Sequence, residues 1–448
     1  MALPTARRVA ALVLLRVDKD KAFAAAALDA ELARAPQLTA RDRAFATELV
    51  YGSLRVRNWL QAELERHASR GMSGTDATVR VELLLAAYQI FFLTRVPAFA
   101  AVNEAVESVR RARGVKVSRF VNAVLRRIAE EADGIRENGA RDTAQEAAWS
   151  SAPEWLKDGL RRAIGDQGAR LFLTPTGGPP RVGIRVERAL ERSLWLDRFR
   201  EASAGGTFEP GVTSPLSILA GGAGRTVDLP GFAEGAWTIQ EEGSQVVGLA
   251  VGAGPSDRVL DACAGRGNKA AVLARAVLPD GWVDAADAHP QKLDRLVTEL
   301  GRVGLAPRSV FAVDWSVGSG DCRELYDRVL VDAPCSGTGT VRRRPELLLR
   351  RKAEDLEALA SLQHAIVVRA SEHVRAGGRL LYAVCSVLQE EAEAVVDSVL
   401  AAASSLELAP FDSDLAANLA GPEKAMLRLL PHVHGTDGYF LASFRKRE

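Results

Sequence analysis

At 448 residues the chain is too long for one ordinary core, so two or three domains are expected, each large enough to bury an interior. A formal net charge of +1 excludes a global basic field, and any nucleic-acid surface must be local. No apolar run is long enough to cross a membrane uninterrupted, and the start Ala2-Leu-Pro-Thr-Ala-Arg-Arg8 lacks a signal-peptide core and cleavage site, so no membrane partner and a cytoplasmic location are expected. The four cysteines, Cys263, Cys322, Cys335 and Cys385, all lie in the C-terminal half without the CxxC spacing that zinc favours. No metal site is expected, and thiol chemistry stays open.

From Thr5 to about Ile128 the pattern is helical, as in Arg8-Val-Ala-Ala-Leu-Val-Leu-Leu-Arg-Val17 and Val81-Glu-Leu-Leu-Leu-Ala-Ala-Tyr-Gln89. Alanine and leucine dominate and β-branched alternation is scarce, which predicts an all-α domain over 1–138. After a break at Pro97 to Asn103, a helix-like segment carries Arg110, Arg111, Arg113, Lys116, Arg119, Arg126 and Arg127 against few acids. Such a patch can hold phosphates or be a solvated helix face. Residues from about Glu130 to Ala147 read as a linker or exposed helix. A small α+β subdomain is predicted over 148–230, with a strand at Val182-Gly-Ile-Arg-Val186 and a helix around Leu190 to Ala202.

From 235 to 448 strand and helix alternate in short units, which predicts a parallel sheet covered on both faces. Strands are expected at Arg258 to Asp261, Gly281 to Asp287, Ser309 to Asp314, Arg328 to Asp332 and Arg379 to Val384. An antiparallel hairpin from Leu427 to Phe444 closes the chain. The first strand turns through Gly265-x-Gly267 into a helix, a geometry that brings a ligand to the backbone and the helix N-terminus. A dinucleotide fold fits that turn as well, with Asp287 suited to ribose hydroxyls in either case. The third glycine of GxGxxG is missing, and Asp314 can read an exocyclic amine such as that of adenine. Lys269 is suited to a carboxylate, or is a solvated lysine of the first turn.

Two strand ends carry thiols. Val329-Leu-Val-Asp332-Ala-Pro-Cys335-Ser-Gly-Thr-Gly339 runs from a buried strand into a glycine loop, and Arg379-Leu-Leu-Tyr-Ala-Val-Cys385-Ser386 ends a second strand. Ligands in open α/β sheets bind outside such carboxyl ends, so Asp332, Cys335 and Cys385 are expected to share a pocket. Ser386-Val-Leu-Gln389 matches a capping box, which predicts a helix N-terminus favouring thiolate at Cys385. Glu390, Glu391 and Glu393 oppose that effect where they face the sulfur. Arg342-Arg-Arg344 and Arg350-Arg-Lys352 add basic groups nearby.

These residues carry a resemblance. Glu48-Leu-Val-Tyr-Gly52-Ser-Leu-Arg55, Ala87-Tyr-Gln89, Val102-Asn103-Glu-Ala-Val106 and Val121-Asn122-Ala-Val-Leu-Arg126 look like the NusB-type RNA-binding helical domain. The Asp332 to Gly339 loop, Arg343-Arg-Pro345-Glu346 and Tyr382-Ala-Val-Cys385-Ser386 closely resemble the Sun/Nop family of RNA (cytosine-5)-methyltransferases. So do Trp237-Thr-Ile-Gln-Glu-Glu-Gly-Ser-Gln245 and His434-Gly-Thr-Asp-Gly-Tyr-Phe440. With the NusB-like front the resemblance covers nearly the whole chain and points to the bacterial small-subunit ribosomal RNA branch. It implies a class I methyltransferase domain with a Rossmann-like sheet, S-adenosylmethionine as cofactor and RNA as partner, in a monomer.

The implied chemistry suits one acid and two thiols. Carbon 5 of cytosine is a poor nucleophile, so a thiolate must first add at carbon 6, and a carboxylic acid near ring N3 stabilises the adduct. By resemblance Cys385 attacks, Cys335 helps resolve the adduct and Asp332 lies near the base. Cys263, Ala264, Gly265, Arg266, Gly267, Asn268, Lys269, Asp287, Asp314 and Asp332 are the implied cofactor residues. The family's cofactor turn usually reads Cys-Ala-Ala-Pro-Gly-Gly-Lys, and its small subdomain has Arg-Val-Asn where this chain has Arg185-Val-Glu187. A transfer-RNA enzyme is the nearer alternative. A NusB-like RNA-binding or assembly factor with a disabled methylase domain is the alternative that the altered turn raises.

Overall fold

The computed structural model describes residues 5–68, 71–72, 74–137, 140–174, 180–203 and 205–448. They fall into two compact units. One holds the helices up to Asp158, the helical residues from Asp166 onward and the segment Val341–Arg350; the other holds Gly159–Gly165, Pro180–Thr340 and Arg351–Glu448.

The first unit contains α1 (Ala6–Lys19), α2 (Ala24–Ala33), α3 (Ala40–Arg55), α4 (Arg57–His67), α5 (Ala77–Phe92), α6 (Ala98–Arg113), α7 (Val115–Glu137) and α8 (Ala140–Ser151). Much of 130–147 is therefore helical. Helix α5 is buried on nearly every side from Val79 to Phe91, as a central helix that is apolar all round must be. Thr39 and Asp42 form a capping box on α3, and the Asp76 carboxylate accepts from Thr78 N at 2.9 Å on α5. Pro97 is the residue before α6, so the break in the pattern is a helix start. The Tyr88 hydroxyl donates to Glu48 across α3 and α5, and a Cβ at Gly52 would meet that hydroxyl at 2.0 Å. Arg110, Arg111, Arg113, Lys116, Arg119, Arg126 and Arg127 of α6 and α7 are all exposed, paired in part with Glu107 and Asp76.

The segment Val341–Arg350 packs within this unit. The Glu346 carboxylate is buried and accepts from Ala24 N at 3.1 Å, where α2 has no side-chain cap of its own. Arg344 and Arg350 lie over the Phe23 ring at 5.9 and 5.2 Å, and Arg350 also donates to the Ala22 carbonyl. These arginines therefore pack on the helical unit.

The second unit begins with Gly159–Gly165, the middle of α9 (Glu154–Leu173), which is broken at Gly165 with φ 75°. Then come β1 (Val182–Val186), α10 (Arg192–Ala202), β2 (Thr207–Pro210), β3 (Ser217–Gly221) and β4 (Trp237–Ile239). The four strands form an antiparallel sheet ordered β2-β3-β1-β4 around Ile184, Phe199, Phe208, Ile218 and Trp237. Next are α11 (Glu242–Ala250), β5 (Arg258–Asp261), α12 (Asn268–Ala276), β6 (Trp282–Asp287), α13 (Pro290–Arg302), β7 (Ser309–Ala312) and β8 (Tyr326–Asp332). They lead to α14 (Glu354–Ser371), β9 (Val374–Val384), α15 (Glu393–Ala402), β10 (Leu406–Leu408), α16 (Asp414–Ala420), β11 (Met426–Leu429), α17 (Pro431–His434) and β12 (Tyr439–Lys446).

The large sheet runs β10-β12-β9-β8-β5-β6-β7, with β11 pairing β12. β5 to β9 are parallel to one another, and β12 is antiparallel, as the closing hairpin predicts. Strand order reverses between β5 and β8, the place where α/β sheets open a crevice for ligands. Asp261 and Asp332 end those two strands.

Gly52→Ala is expected to force Tyr88 away from Glu48, at a cost of about 1–3 kcal/mol for overpacking. Chemical denaturation followed in the helical unit's transition checks this.

Candidate active site

The β8–β9 ladder pairs Asp332 with Ala383, and the Ala333 N–H continues it to the Ala383 carbonyl at 2.9 Å. The two loops leave the sheet side by side. Gly339 N donates to the Cys385 carbonyl at 3.0 Å, and Gly438 N donates to the Gly339 carbonyl at 2.9 Å. A Cβ at Gly339 would meet Gly438 O at 2.0 Å and Cys385 O at 2.9 Å, so the glycine is required by close approach of three segments. The outcome is that Cys335 Sγ lies 2.9 Å from Cys385 Sγ, both half-buried.

The Cys335 thiol is held well above its usual pKa by its hydrogen bond with Cys385, then by burial, the Cys385 charge and Glu391. It stays a neutral thiol beside the second sulfur. The helix predicted to start at Ser386 does not. Val387 and Leu388 are fully buried and draw the chain inward, Ser386 Oγ contacts Thr338 Oγ1 at 3.0 Å, and α15 begins only at Glu393. The capping box, and the thiolate argument resting on it, are therefore corrected.

The cofactor turn follows β5. Gly265 and Gly267 have φ of 56° and 89°, and a Cβ at Gly267 would meet Leu300 Cδ1 at 2.7 Å, so both positions need glycine. Cys263 is half-buried, and burial followed by Asp261, Asp332 and Asp287 keeps its thiol neutral. Ala264 is buried, while Arg266 and Asn268 are exposed. Asn268 contributes its backbone carbonyl, which accepts from Arg185 Nη1 at 2.7 Å. Arg185 is itself buried and also binds Gln240 at 2.8 Å and Glu187 at 2.9 Å, and the other Glu187 oxygen lies 3.3 Å from Arg275 of α12. Glu187 thus faces the cofactor helix.

The carboxylates divide by environment. Asp287 is buried at the end of β6 and accepts from Gly265 N at 3.0 Å and His289 N at 2.9 Å, with Lys292 at 3.2 Å. Asp314 lies two residues past β7 in a turn. It is exposed, and its pKa is lowered by the Ser316 hydroxyl and N–H, while Trp315 beside it is buried and donates to the Ala262 carbonyl at 2.7 Å. Lys269 Nζ is 2.7 Å from Asp332 Oδ2, so Lys269 engages a carboxylate of the site and is not a solvated lysine. Burial pulls the ammonium down, but Asp332 outweighs it and holds the Lys269 pKa above its usual value.

Asp261 escaped the sequence reading as a site residue. It is 1% exposed, and neither carboxylate oxygen has a well-formed hydrogen-bond partner. Burial, then Asp332, push its pKa up to about 7, and Lys269 and the Cys263 N–H offset this only in part. Its position at the end of β5, matching Asp332 on β8, is the signal that could have marked it. An orphaned buried carboxylate beside a second one suits a cationic group that also donates hydrogen bonds. A cofactor carrying an ammonium and a sulfonium fits that demand.

The comparisons agree with this geometry. The family model for 16S rRNA methyltransferase RsmB/F matches residues 249–445, and that for the NusB family matches 4–130. The ribosomal RNA small subunit methyltransferase B of Escherichia coli is 31% identical over 409 residues, covering 91% of each chain. A Synechocystis protein named "Probable ribosomal RNA small subunit methyltransferase B" is 30% identical over 446 residues, covering 99% of each. The chain belongs to this family of S-adenosylmethionine-dependent methyltransferases. Among solved structures, PH0851 has a TM-score of 0.79 at 22% identity over the whole of both chains. NSun6 from Pyrococcus horikoshii with SFG has 0.57 at 18%, covering 66% of this chain and 98% of that one. Both share the fold.

Family motifs outside the loops turn out to hold the site together. Glu242 accepts from Thr213 N at 2.6 Å and Ser214 N at 2.8 Å, and Glu241 accepts from Ser244 N at 3.0 Å and Asp437 N at 2.9 Å. Gly243 leaves room for the buried Tyr439 ring, whose hydroxyl is kept neutral by burial, then by Glu241 and Cys385.

Asp261 generates a pH dependence. Its folded pKa of about 7 exceeds the usual 3.8, so the folded state keeps a proton that the unfolded state releases between those values. Its contribution to stability therefore falls as pH rises from about 4 to 7. Asp261→Asn is expected to stabilise the cofactor-free protein at pH 8, by up to roughly 4 kcal/mol at 1.36 kcal/mol per pKa unit, with the gain vanishing near pH 4. Denaturation against pH measures this, and calorimetry is expected to show weakened cofactor binding.

Proposed function

We propose that this protein transfers a methyl group from S-adenosylmethionine to carbon 5 of a cytosine in small-subunit ribosomal RNA through a covalent cysteine adduct. The observation that carries the reading is the pair of thiols 2.9 Å apart at adjoining strand ends, with Asp332 on the same ladder. Family membership supports it. When bound, the cofactor supplies an electrophilic methyl. We assign the Asp261, Asp287 and Asp314 carboxylates and the turn from Cys263 to Lys269 to holding it, with Asp332 adjoining.

Cys385 is the attacking thiolate, forming a bond to carbon 6 so that carbon 5 gains enamine character. Asp332, positioned by Lys269, faces the ring near N3. After transfer, solvent takes the proton from carbon 5, the C–S electrons return to Cys385, and the neutral Cys335 S–H hydrogen-bonds the departing sulfur. The thiols lie at the carboxyl ends of central strands, so the target cytosine is flipped out of its stack to reach them.

The RNA is held by a NusB-like domain over 1–138, with the exposed basic face of α6 and α7, and by the subdomain over 148–230; 235–448 carries the chemistry. The protein acts as a cytoplasmic monomer, and among the described residues no helix is long and apolar enough to cross a membrane. Exposed side chains at Arg266 and Asn268 and retained glycines at 265 and 267 support a working cofactor site over a disabled one.

Purified protein, labelled cofactor and small-subunit RNA test this, with the modified cytosine mapped. Cys385→Ser is expected to abolish transfer, and Cys335→Ala to leave a protein–RNA adduct that survives denaturing electrophoresis. An adduct trapped by Cys385→Ser reverses the two roles. Transfer to tRNA alone selects the tRNA enzyme, and neither transfer nor cofactor binding selects the assembly factor.

A further inference from the structure

Glu391 is a fully buried carboxylate on the segment that follows Cys385, and the chemistry above does not use it. One of its oxygens accepts from Ser336 N at 2.7 Å and from Gln363 Nε2 at 3.0 Å; the other accepts from Ser336 Oγ at 2.5 Å. Gln363 is also fully buried and donates to the Pro334 carbonyl at 3.0 Å, and Tyr382 donates to Gln363 Oε1 at 3.0 Å and to the Glu391 carbonyl at 2.7 Å. The residues on both sides of Cys335 are thereby fixed from α14 and from the turn before α15. Arg351 closes the third side, with Nε on the Ser336 carbonyl at 2.9 Å and Nη2 on the Cys335 carbonyl at 3.3 Å.

Cys385 is held by different means. It continues β9, and its carbonyl takes the Gly339 N–H. Loss of the Glu391 carboxylate would strip Ser336 N of its acceptor and remove one acceptor each from Ser336 Oγ and Gln363 Nε2, loosening 334–336, while β9 keeps Cys385 in place. A buried carboxylate persists only where its hydrogen bonds offset the desolvation, and here two come from the Cys335 loop and the third from Gln363, which itself holds that loop.

We infer that Glu391 is a positioning residue for the release step, fixing the Cys335 loop at the separation from Cys385 that lets the adduct resolve. It touches no reacting atom. The inference rests on the reading of Cys335 as the residue that completes the reaction.

The experiment compares wild type, Glu391→Gln, Glu391→Asp, Ser336→Ala and Cys335→Ala in the full chain, with small-subunit RNA and labelled cofactor. Glu391→Gln presents an amide to donors, so misplacement of Cys335 is expected to slow release by about tenfold to a hundredfold. That appears as accumulated protein–RNA adduct, with single-turnover methyl transfer and the KM for cofactor unchanged. Glu391→Asp, which keeps the acceptors, recovers part of the release rate. Ser336→Ala removes one of the three donors without removing the carboxylate and gives a smaller rise in adduct, so a failure of Glu391→Gln to fold leaves the test intact. Wild-type adduct levels in Glu391→Gln or, where that variant does not fold, in Ser336→Ala, while Cys335→Ala traps adduct, overturn the inference alone. Equal loss of transfer and release in Glu391→Gln overturns it as well, since that marks a general structural role. No adduct with Cys335→Ala overturns the release reading and this inference with it.

Discussion

The ladder between β8 and β9 is the constraint on which the site depends. Its register places Asp332 opposite Ala383, so the chain that leaves β8 after the acid and the chain that leaves β9 as Cys385 run out of the sheet together. Three parallel-sheet consequences follow from that single pairing. The sulfurs meet at 2.9 Å, Gly339 can reach the Cys385 carbonyl, and the terminal hairpin can close on Gly339 through Gly438. A slip of one residue would turn every side chain of β9 to the other face of the sheet, and the thiols would part. The proximity of the cysteines is therefore a property of the sheet, and the loops refine it.

A second constraint is electrostatic. Asp261 and Asp332 end neighbouring strands, and Lys269 is the ammonium that ion-pairs with Asp332. One cation cannot satisfy two neighbouring carboxylates, so the imbalance falls on the fully buried acid with no well-formed hydrogen bond, which is Asp261. Such an arrangement opposes the folding of the empty protein and favours a ligand that brings positive charge. Asp287 shows the contrasting solution, with its oxygens taken by backbone N–H groups and Lys292, so that it orders the glycine turn.

Strand ends and glycine turns were legible in the sequence because they follow from apolar runs and from positions that admit no Cβ. The helical front was legible for the same reason, since its alanine and leucine periodicity has one reading. Partners were not legible. Ser386-Val-Leu-Gln389 has the letters of a capping box, but two fully buried apolar residues between them override the local preference. Asp314 appeared to end a strand that stops at Ala312, because the buried Trp315 next to it imposes a turn. Arg344 and Arg350 lie over Phe23, a contact across more than three hundred residues that no local pattern encodes. Asp261 was visible as a letter, but that its oxygens lack partners is a fact of three-dimensional packing.

The departures from the family pattern show where the constraint on this site acts. At 266 and 268 the side chains face solvent, and what the turn requires of residue 268 is its carbonyl, which any amino acid supplies. Gly267 and Gly265 are different, because their backbone conformation and the approach of Leu300 exclude a side chain. At 187 the Glu187 carboxylate lies between Arg185 and Arg275. Two guanidiniums near one another repel, and a carboxylate between them turns that repulsion into a bridge from β1 to the cofactor helix. Glu187 thereby ties the small sheet to α12. What this turn requires is the backbone conformation at 265 and 267 and the carbonyl that meets Arg185, while the side chains at 266 and 268 lie outside that requirement.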